Sequence, residues 1–243
     1  MSLALITGGS RGVGAALAHE LAERGYRLLL CGRDADALEQ VAAGLPQATA
    51  VRCDLSDVTQ LRALAETAAH LGELSLLVNN AGVQDLYWLG DLTPEQGCER
   101  IDREIAINLT GPLRLTAYCL PLLRARPRSR IVNVTSGLAI APKRDAAVYC
   151  ATKSGLRTFT RSLRYQEQAA ASGVAVTEAI LPLVDTAMTA GRGKGKISAR
   201  DAARAIARAV DRNRDHVYVG KAGLLNVLHR VSPRLTHRMM RDR

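Results

Sequence analysis

A chain of 243 residues with 47% apolar and 23% charged side chains suits one α/β domain with a large core rather than two domains. It holds no apolar run of the roughly 18 residues needed to cross a bilayer, which excludes a transmembrane helix. The net charge of +10 invites a nucleic-acid reading, but aromatics are only 3% and no zinc or RNP-type motif occurs, so no nucleic-acid partner is expected.

The chain enters a strand at Leu3–Thr7 without a charged leader or a long apolar stretch, so no signal peptide is expected. A Gly-rich turn follows, then a helix through Arg24, a second strand at 27–31, and Asp34 as the cap of the next helix. Strands at Ala48–Arg52 and Leu74–Asn79 flank a helix over 58–70. Thr93-Pro94-Glu95-Gln96 is a helix start, with an N-cap, proline at the first helical position and glutamine at the third. A helix over 109–124 leads to a strand at 130–135, a long helical pattern covers 147–171, and Val174–Leu181 is a sixth strand. Ser198 opens a helix to about Arg212, and 216–219 makes a last strand. This alternation predicts a parallel sheet of about seven strands with helices on both faces, in a single domain.

Thr7-Gly8-Gly9-Ser10-Arg11-Gly12-Val13-Gly14 sits where the first strand becomes the first helix. Glycines there permit a tight turn and close approach of backbone N–H groups to a pyrophosphate, and a helix N-terminus favours negative charge. An acid at the end of the second strand would accept a ribose 2′-hydroxyl; here that position is Arg33, which with Arg11 suits a 2′-phosphate and favours NADP(H) over NAD(H). Asp54, followed by Leu55, reads equally as an acceptor for an adenine amino group and as a turn residue. Asn80, Ala81 and Gly82 end the fourth strand with amides and small residues that let a dinucleotide lie on the sheet edge.

Tyr149 and Lys153, four apart, share one helix face. An ammonium beside a phenol favours the phenolate, which prepares a tyrosine to exchange a proton with an alcohol or carbonyl. Ser136, thirteen residues before the tyrosine, is a candidate hydrogen-bond donor to that oxygen.

Together these motifs resemble the short-chain dehydrogenase/reductase family, in order and at family spacing from Leu3 to about Val219. Glu104-Ile105-Ala106-Ile107-Asn108-Leu109, 133–139 and 149–153 are closer still to the oxidoreductases named after the operon for D-alanylation of teichoic acids. The resemblance implies a Rossmann-type, doubly wound fold and hydride transfer between NADP(H) and a carbonyl or alcohol substrate. It implies Tyr149 as general acid/base, Lys153 binding ribose and lowering the tyrosine pKa, Ser136 polarising the carbonyl, and Asn108 interrupting its helix to support a proton relay. Thr7, Gly8, Ser10, Arg11, Gly12, Val13 and Gly14 would hold the cofactor, with Pro182, Val184 and Thr186 beside it. The family's glycine after that proline is Leu183 here, which limits the backbone. The family also implies a homodimer or homotetramer through the helices over 109–124 and 147–171.

Leu138, Ile140, Pro142, residues 84–88 and residues 183–197 are the expected substrate lining, mostly apolar. Trp88 reads first as a core residue, and Lys194 and Lys196 as a solvated lid. Five scattered cysteines, Cys150 among them, read as small residues of a reducing compartment, so the expected location is cytoplasmic, with no metal site. Residues 1–220 would form the dinucleotide-binding and catalytic domain, and 221–243 a basic helical extension in which six Lys and Arg face one acid, Asp242. Such an end suits an anionic membrane surface, its own subunit or a dimer partner. Beside the NADP(H)-dependent reductase stand two rivals: a cofactor-binding regulatory or interaction protein without turnover, and a peripheral membrane enzyme acting on a lipid-like substrate.

Overall fold

The computed structural model describes residues 1–242. The first half runs β1 (Leu3–Thr7), α1 (Gly12–Ala22), β2 (Arg27–Gly32), α2 (Ala35–Ala43), β3 (Ala48–Arg52), α3 (Val58–Leu71) and β4 (Leu74–Asn79). The second runs α4 (Pro94–Ile105), α5 (Gly111–Arg124), β5 (Ser129–Ser136), α6 (Ala147–Ala169), β6 (Val174–Leu181), the short β7 (Val184–Asp185) and β8 (Ile197–Ser198), α7 (Ala199–Asp211) and β9 (His216–Tyr218). Two further helices, α8 (Ala222–Val231) and α9 (Pro233–Arg241), close the described chain.

Helix starts follow local chemistry. Asp34 accepts from the Ala37 N–H at 3.1 Å, Asp57 from Thr59 at 2.8 Å, and Thr93 and Gln96 satisfy each other's backbone as a capping box. The seven main strands pair in parallel in the order β3-β2-β1-β4-β5-β6-β9, and β7 pairs only with β8. Strand order reverses between β1 and β4, the place where ligands bind in open α/β sheets.

Alternation along each strand divides the core in two. Ala4, Ile6, Leu28 and Leu30 pack with α1, α2 and α7 on one face; Leu3, Leu5, Leu29 and Cys31 pack with α3, α5 and α6 on the other. The expected doubly wound sheet is therefore present.

One boundary differs from the sequence reading, and one of its open alternatives is met. The helix expected to start at 109 is instead joined to α4 through one π-helical turn, Ala106–Thr110, where the Asn108 side chain leaves the helix surface to bond another segment. The C-terminal extension folds back on the body: Ala222 is buried with Ile140 and Ile180, and Arg144 holds Asp242 at 2.9 Å. Among the described residues no helix is long and apolar enough to cross a membrane.

Candidate active site

A cleft of about 1170 Å³ runs along the C-terminal ends of the strands. That exceeds the ~300–1,000 Å³ of ordinary small-molecule sites and leaves room for a dinucleotide with a second molecule beside it.

One end is built by the glycine turn. Gly8, Ser10, Arg11, Gly12 and Val13 line it, with Gly32, Arg33, Asp54, Leu55, Asn80, Ala81 and Gly82. A Cβ on Gly14 would stand 2.1 Å from the Gly8 carbonyl oxygen, so only glycine lets the turn fold onto α1. Arg11 caps α1 without a side-chain hydrogen bond, and no acid occupies the first turn. Its N–H groups thus face the cleft unneutralised, an arrangement that fits a diphosphate.

Not every residue expected here touches the cleft. Thr7 is fully buried, and its hydroxyl accepts from the Asn80 and Ala81 N–H groups, both at 3.0 Å. Asn80 Nδ2 in turn donates to the Thr7 carbonyl at 2.9 Å. Thr7 and Gly14 shape the turn from behind instead of lining it. Arg11 closes on Asp34 at 2.6 Å, whereas Arg33, at the tip of β2, makes no ion pair within 4 Å among the described residues and acts on the Asp54 carboxylate only from a distance. Burial acts to raise Asp54, but hydrogen bonds from Ser56 and the Arg33 charge outweigh it. Asp54 is both a turn residue, holding Ser56 N–H at 2.9 Å, and part of the cleft wall.

Ser136, at the end of β5, and Tyr149 and Lys153, on α6, form the middle of the cleft. A buried polar chain from Asn79 to Asn133 at 2.7 Å and on to Thr160 at 2.9 Å fixes α6 against the sheet. Lys153 donates to the Val134 carbonyl at 2.9 Å. Ser136 Oγ accepts from the Leu138 N–H at 3.1 Å, which leaves its own proton for another oxygen. Asn108 stands behind this wall, fully buried, accepting from Val83 N–H and donating to Val83 C=O, both at 2.8 Å. A Cβ on Gly82 would lie 3.1 Å from Asn108 Oδ1 and 3.5 Å from Lys153 Nζ, so the glycine leaves room for both side chains.

Electrostatics correct one expectation. Burial pushes the Tyr149 hydroxyl up to about 12, and the groups drawing it down are Ser136 and Arg192, not Lys153. Burial also brings the Lys153 ammonium down to about 8. Lys153 Nζ lies 5.8 Å from the centroid of the Tyr149 ring. At neutral pH the tyrosine therefore holds its proton and is set to donate. Burial likewise raises the Cys150 thiol, which leaves it unreactive.

The far end is lined by residues 83–86, Leu138, Leu183, Met188, Arg192, Lys194, Lys221, Leu225 and Met240. Pro182, Val184 and Thr186 join them, and Thr186 reaches across so that its Cγ2 would be 3.1 Å from a Cβ on Gly12. Leu183 is not among the positive-φ residues, so the backbone needs no glycine there. Trp88 is no core residue: it is 53% exposed under the Arg144 guanidinium and outside the cleft, as are Ile140 and Pro142. Lys196 is held by Asp185 and the Thr189 carbonyl, whereas Lys194 faces the cleft. Sequence reasoning placed Arg192 in the lining segment 183–197 but missed Leu225 and Met240, because no local pattern says that the last helices return to the cleft. Glu104 is also new: fully buried, it accepts from the Asp85 N–H at 3.3 Å, and burial raises it to about 7.

A short chain dehydrogenase family model matches residues 2–196. The chain belongs to the short-chain dehydrogenase family. Among curated relatives it is 39% identical to the uncharacterized oxidoreductase DltE of Bacillus subtilis (strain 168), over 76% of this chain and 72% of that one. A short chain dehydrogenase from Burkholderia cenocepacia J2315, solved in complex with NADP, superposes with a TM-score of 0.87 at 26% identity, covering 98% of this chain and 97% of that one. A short chain dehydrogenase/reductase from Burkholderia phymatum, solved with NAD, shares the fold with a TM-score of 0.86 at 23% identity, covering 96% and 94%.

Proposed function

We propose that this short-chain dehydrogenase is an NADP(H)-dependent oxidoreductase acting on a carbonyl or alcohol. The observation that carries the reading is the convergence of Ser136, Tyr149 and Lys153 on one cleft whose other end is the uncapped N-terminus of α1. The nicotinamide dinucleotide supplies the hydride. Gly8, Ser10, Gly12 and Val13 hold its diphosphate, with Leu55, Asn80, Ala81, Gly82, Pro182, Val184 and Thr186 along its length and Asp54 at the adenine. Free Arg33 takes a 2′-phosphate, which favours NADP(H) over NAD(H).

Ser136 turns its hydroxyl proton from Tyr149 to the substrate oxygen and orients it. Tyr149 gives that oxygen the proton it retains at neutral pH, a step worth roughly 10²–10⁴-fold in rate. Lys153 places a cation near the ring and binds the ribose, and Asn108 links its surroundings to the 83–86 segment, in support of proton return to Tyr149. Self-association falls to the helices over 109–124 and 147–171, as the family implies, and the apolar groove lined by Ile101, Ile105, Leu109, Val148 and Ala151 borders the second of them. Five free cysteines favour a cytoplasmic location.

The test is NADPH and NADH affinity by energy transfer from the protein to the nicotinamide, then a ketone and aldehyde panel followed at the reduced-cofactor absorbance. Turnover supports the reading; tight binding without turnover on a broad panel favours the regulatory alternative.

One observation favours a membrane-associated form of the same enzyme. Leu224, Val227 and Val231 lie exposed along one side of α8, Leu235 and Met239 along α9, with Arg230, Arg234 and Arg238 beside them. A two-fold pairing of this face with itself would set cations against cations. An anionic bilayer complements it. Vesicle sedimentation decides: the full chain should bind phosphatidylglycerol vesicles over phosphatidylcholine, and L224S/V227S/V231S should not. Equal binding by both proteins removes this face from the reading.

A further inference from the structure

Beyond Tyr149 the cleft carries more positive charge than its acids balance. Arg103, Lys143, Arg192, Lys194 and Lys221 all line it. Two are neutralised: Arg103 pairs with Asp85 at 2.8 Å and Lys143 with Asp145 at 3.0 Å. Neighbouring Lys196, outside the wall, pairs with Asp185 at 3.3 Å. The other three lack a carboxylate partner among the described residues. Arg192 bonds only to neutral groups, Gln84 Oε1 at 3.0 Å and the Gln84 carbonyl at 3.5 Å. Lys221 Nζ lies 3.6 Å from where a Cβ on Gly195 would stand, over the loop that carries Arg192 and Lys194.

The three therefore share one side of the cleft, and Arg192 is close enough to Tyr149 for its charge to act on the hydroxyl. None of the three belongs to the glycine turn at α1 that faces a diphosphate. Leu86, Leu138, Met188, Leu225 and Met240 give the remaining lining an apolar character.

We propose that the compound taken by this site is an amphiphilic anion, an apolar body ending in a carboxylate or phosphate that Arg192, Lys194 and Lys221 hold. The proposal rests on the oxidoreductase reading for what happens to the carbonyl, but not for the binding itself. Arginine and lysine heads in a cleft partly closed to water form charge-assisted hydrogen bonds with either group. The apolar wall takes the body and sets the reacting carbonyl back toward Tyr149.

Calorimetric titration of the full chain with octanoate, octyl phosphate and octanol tests this without needing turnover. The two anions should bind at least roughly tenfold more tightly than the alcohol, the size of one charge-assisted hydrogen bond. R192Q/K194Q/K221Q should erase that preference, while NADPH affinity and the circular dichroism spectrum stay as in the parent. The ratio of octanoate to octyl phosphate affinity separates the two anion sources. Equal affinity for octanol, a preference surviving in the variant, or no anion binding at millimolar concentration would overturn the proposal. Reduction of ketones without anion preference leaves the oxidoreductase reading standing alone; anion preference without any reduction does the reverse.

Discussion

Asn108 grips Val83 at both ends of its peptide unit, donating to the carbonyl and accepting from the N–H at 2.8 Å each, across 25 residues of sequence. The π-helical turn at Ala106–Thr110 turns that side chain away from the helix toward the segment that follows β4. A substitution here should consequently be read as structural before it is read as catalytic.

Asn108→Ala strips both partners from Val83 in a fully buried setting. The expected loss is about 1–3 kcal/mol for each group left unpaired. Urea unfolding measures it. A loss well below that range would mean that water or a backbone shift replaces the amide.

Tyr149→Phe removes the proposed proton donor and keeps the ring. Reduction should fall roughly 10²–10⁴-fold. NADPH affinity, measured by fluorescence titration, should be nearly unaltered. Turnover close to the parent's would reassign the acid.

Glu104 supplies a pH signature. Its folded pKa of about 7 lies above the ordinary 4.5, so the folded state binds its proton more tightly than the unfolded chain does. Stability from this group is full below the unfolded value and is lost as pH rises toward the folded one, at most about 3 kcal/mol in all. Glu104→Gln should flatten the fall in Tm between mildly acidic and mildly alkaline buffer. The same slope in both proteins would remove Glu104 as its source.

Arg33→Asp replaces the free cation at the tip of β2 with a charge that repels a 2′-phosphate. The ratio of NADPH to NADH affinity should shift toward NADH by roughly tenfold or more. If the ratio holds, Arg11 must leave Asp34 to serve the phosphate, and Arg11→Ala becomes the next variant.

Much of this was legible in the chain because the signals are local. Four apolar residues and a threonine followed by glycines announce β1 and its turn, Asp34 and Thr93 cap their helices as their positions suggest, and Tyr149 and Lys153 meet because four residues make about one helical turn. What escaped depends on distance. Thr7 looked like a ligand residue, yet its hydroxyl is consumed by backbone groups 73 and 74 positions away. Arg11 seemed free until folding brought Asp34 to it. The expected lowering of Tyr149 fails because burial, which sequence does not display, outweighs the pull of Ser136 and Arg192. Leu225 and Met240 carry an amphipathic pattern that says they have an apolar face, but not which surface receives it.

The return of α8 and α9 to the cleft divides the molecule's two recognition tasks along the chain. The glycine turn and its neighbours are drawn from residues before 83, while Met188, Arg192, Lys221, Leu225 and Met240 all follow β6. Exchange of the segment after Thr186 between relatives should therefore transplant the choice of substrate and leave the choice of coenzyme with the host.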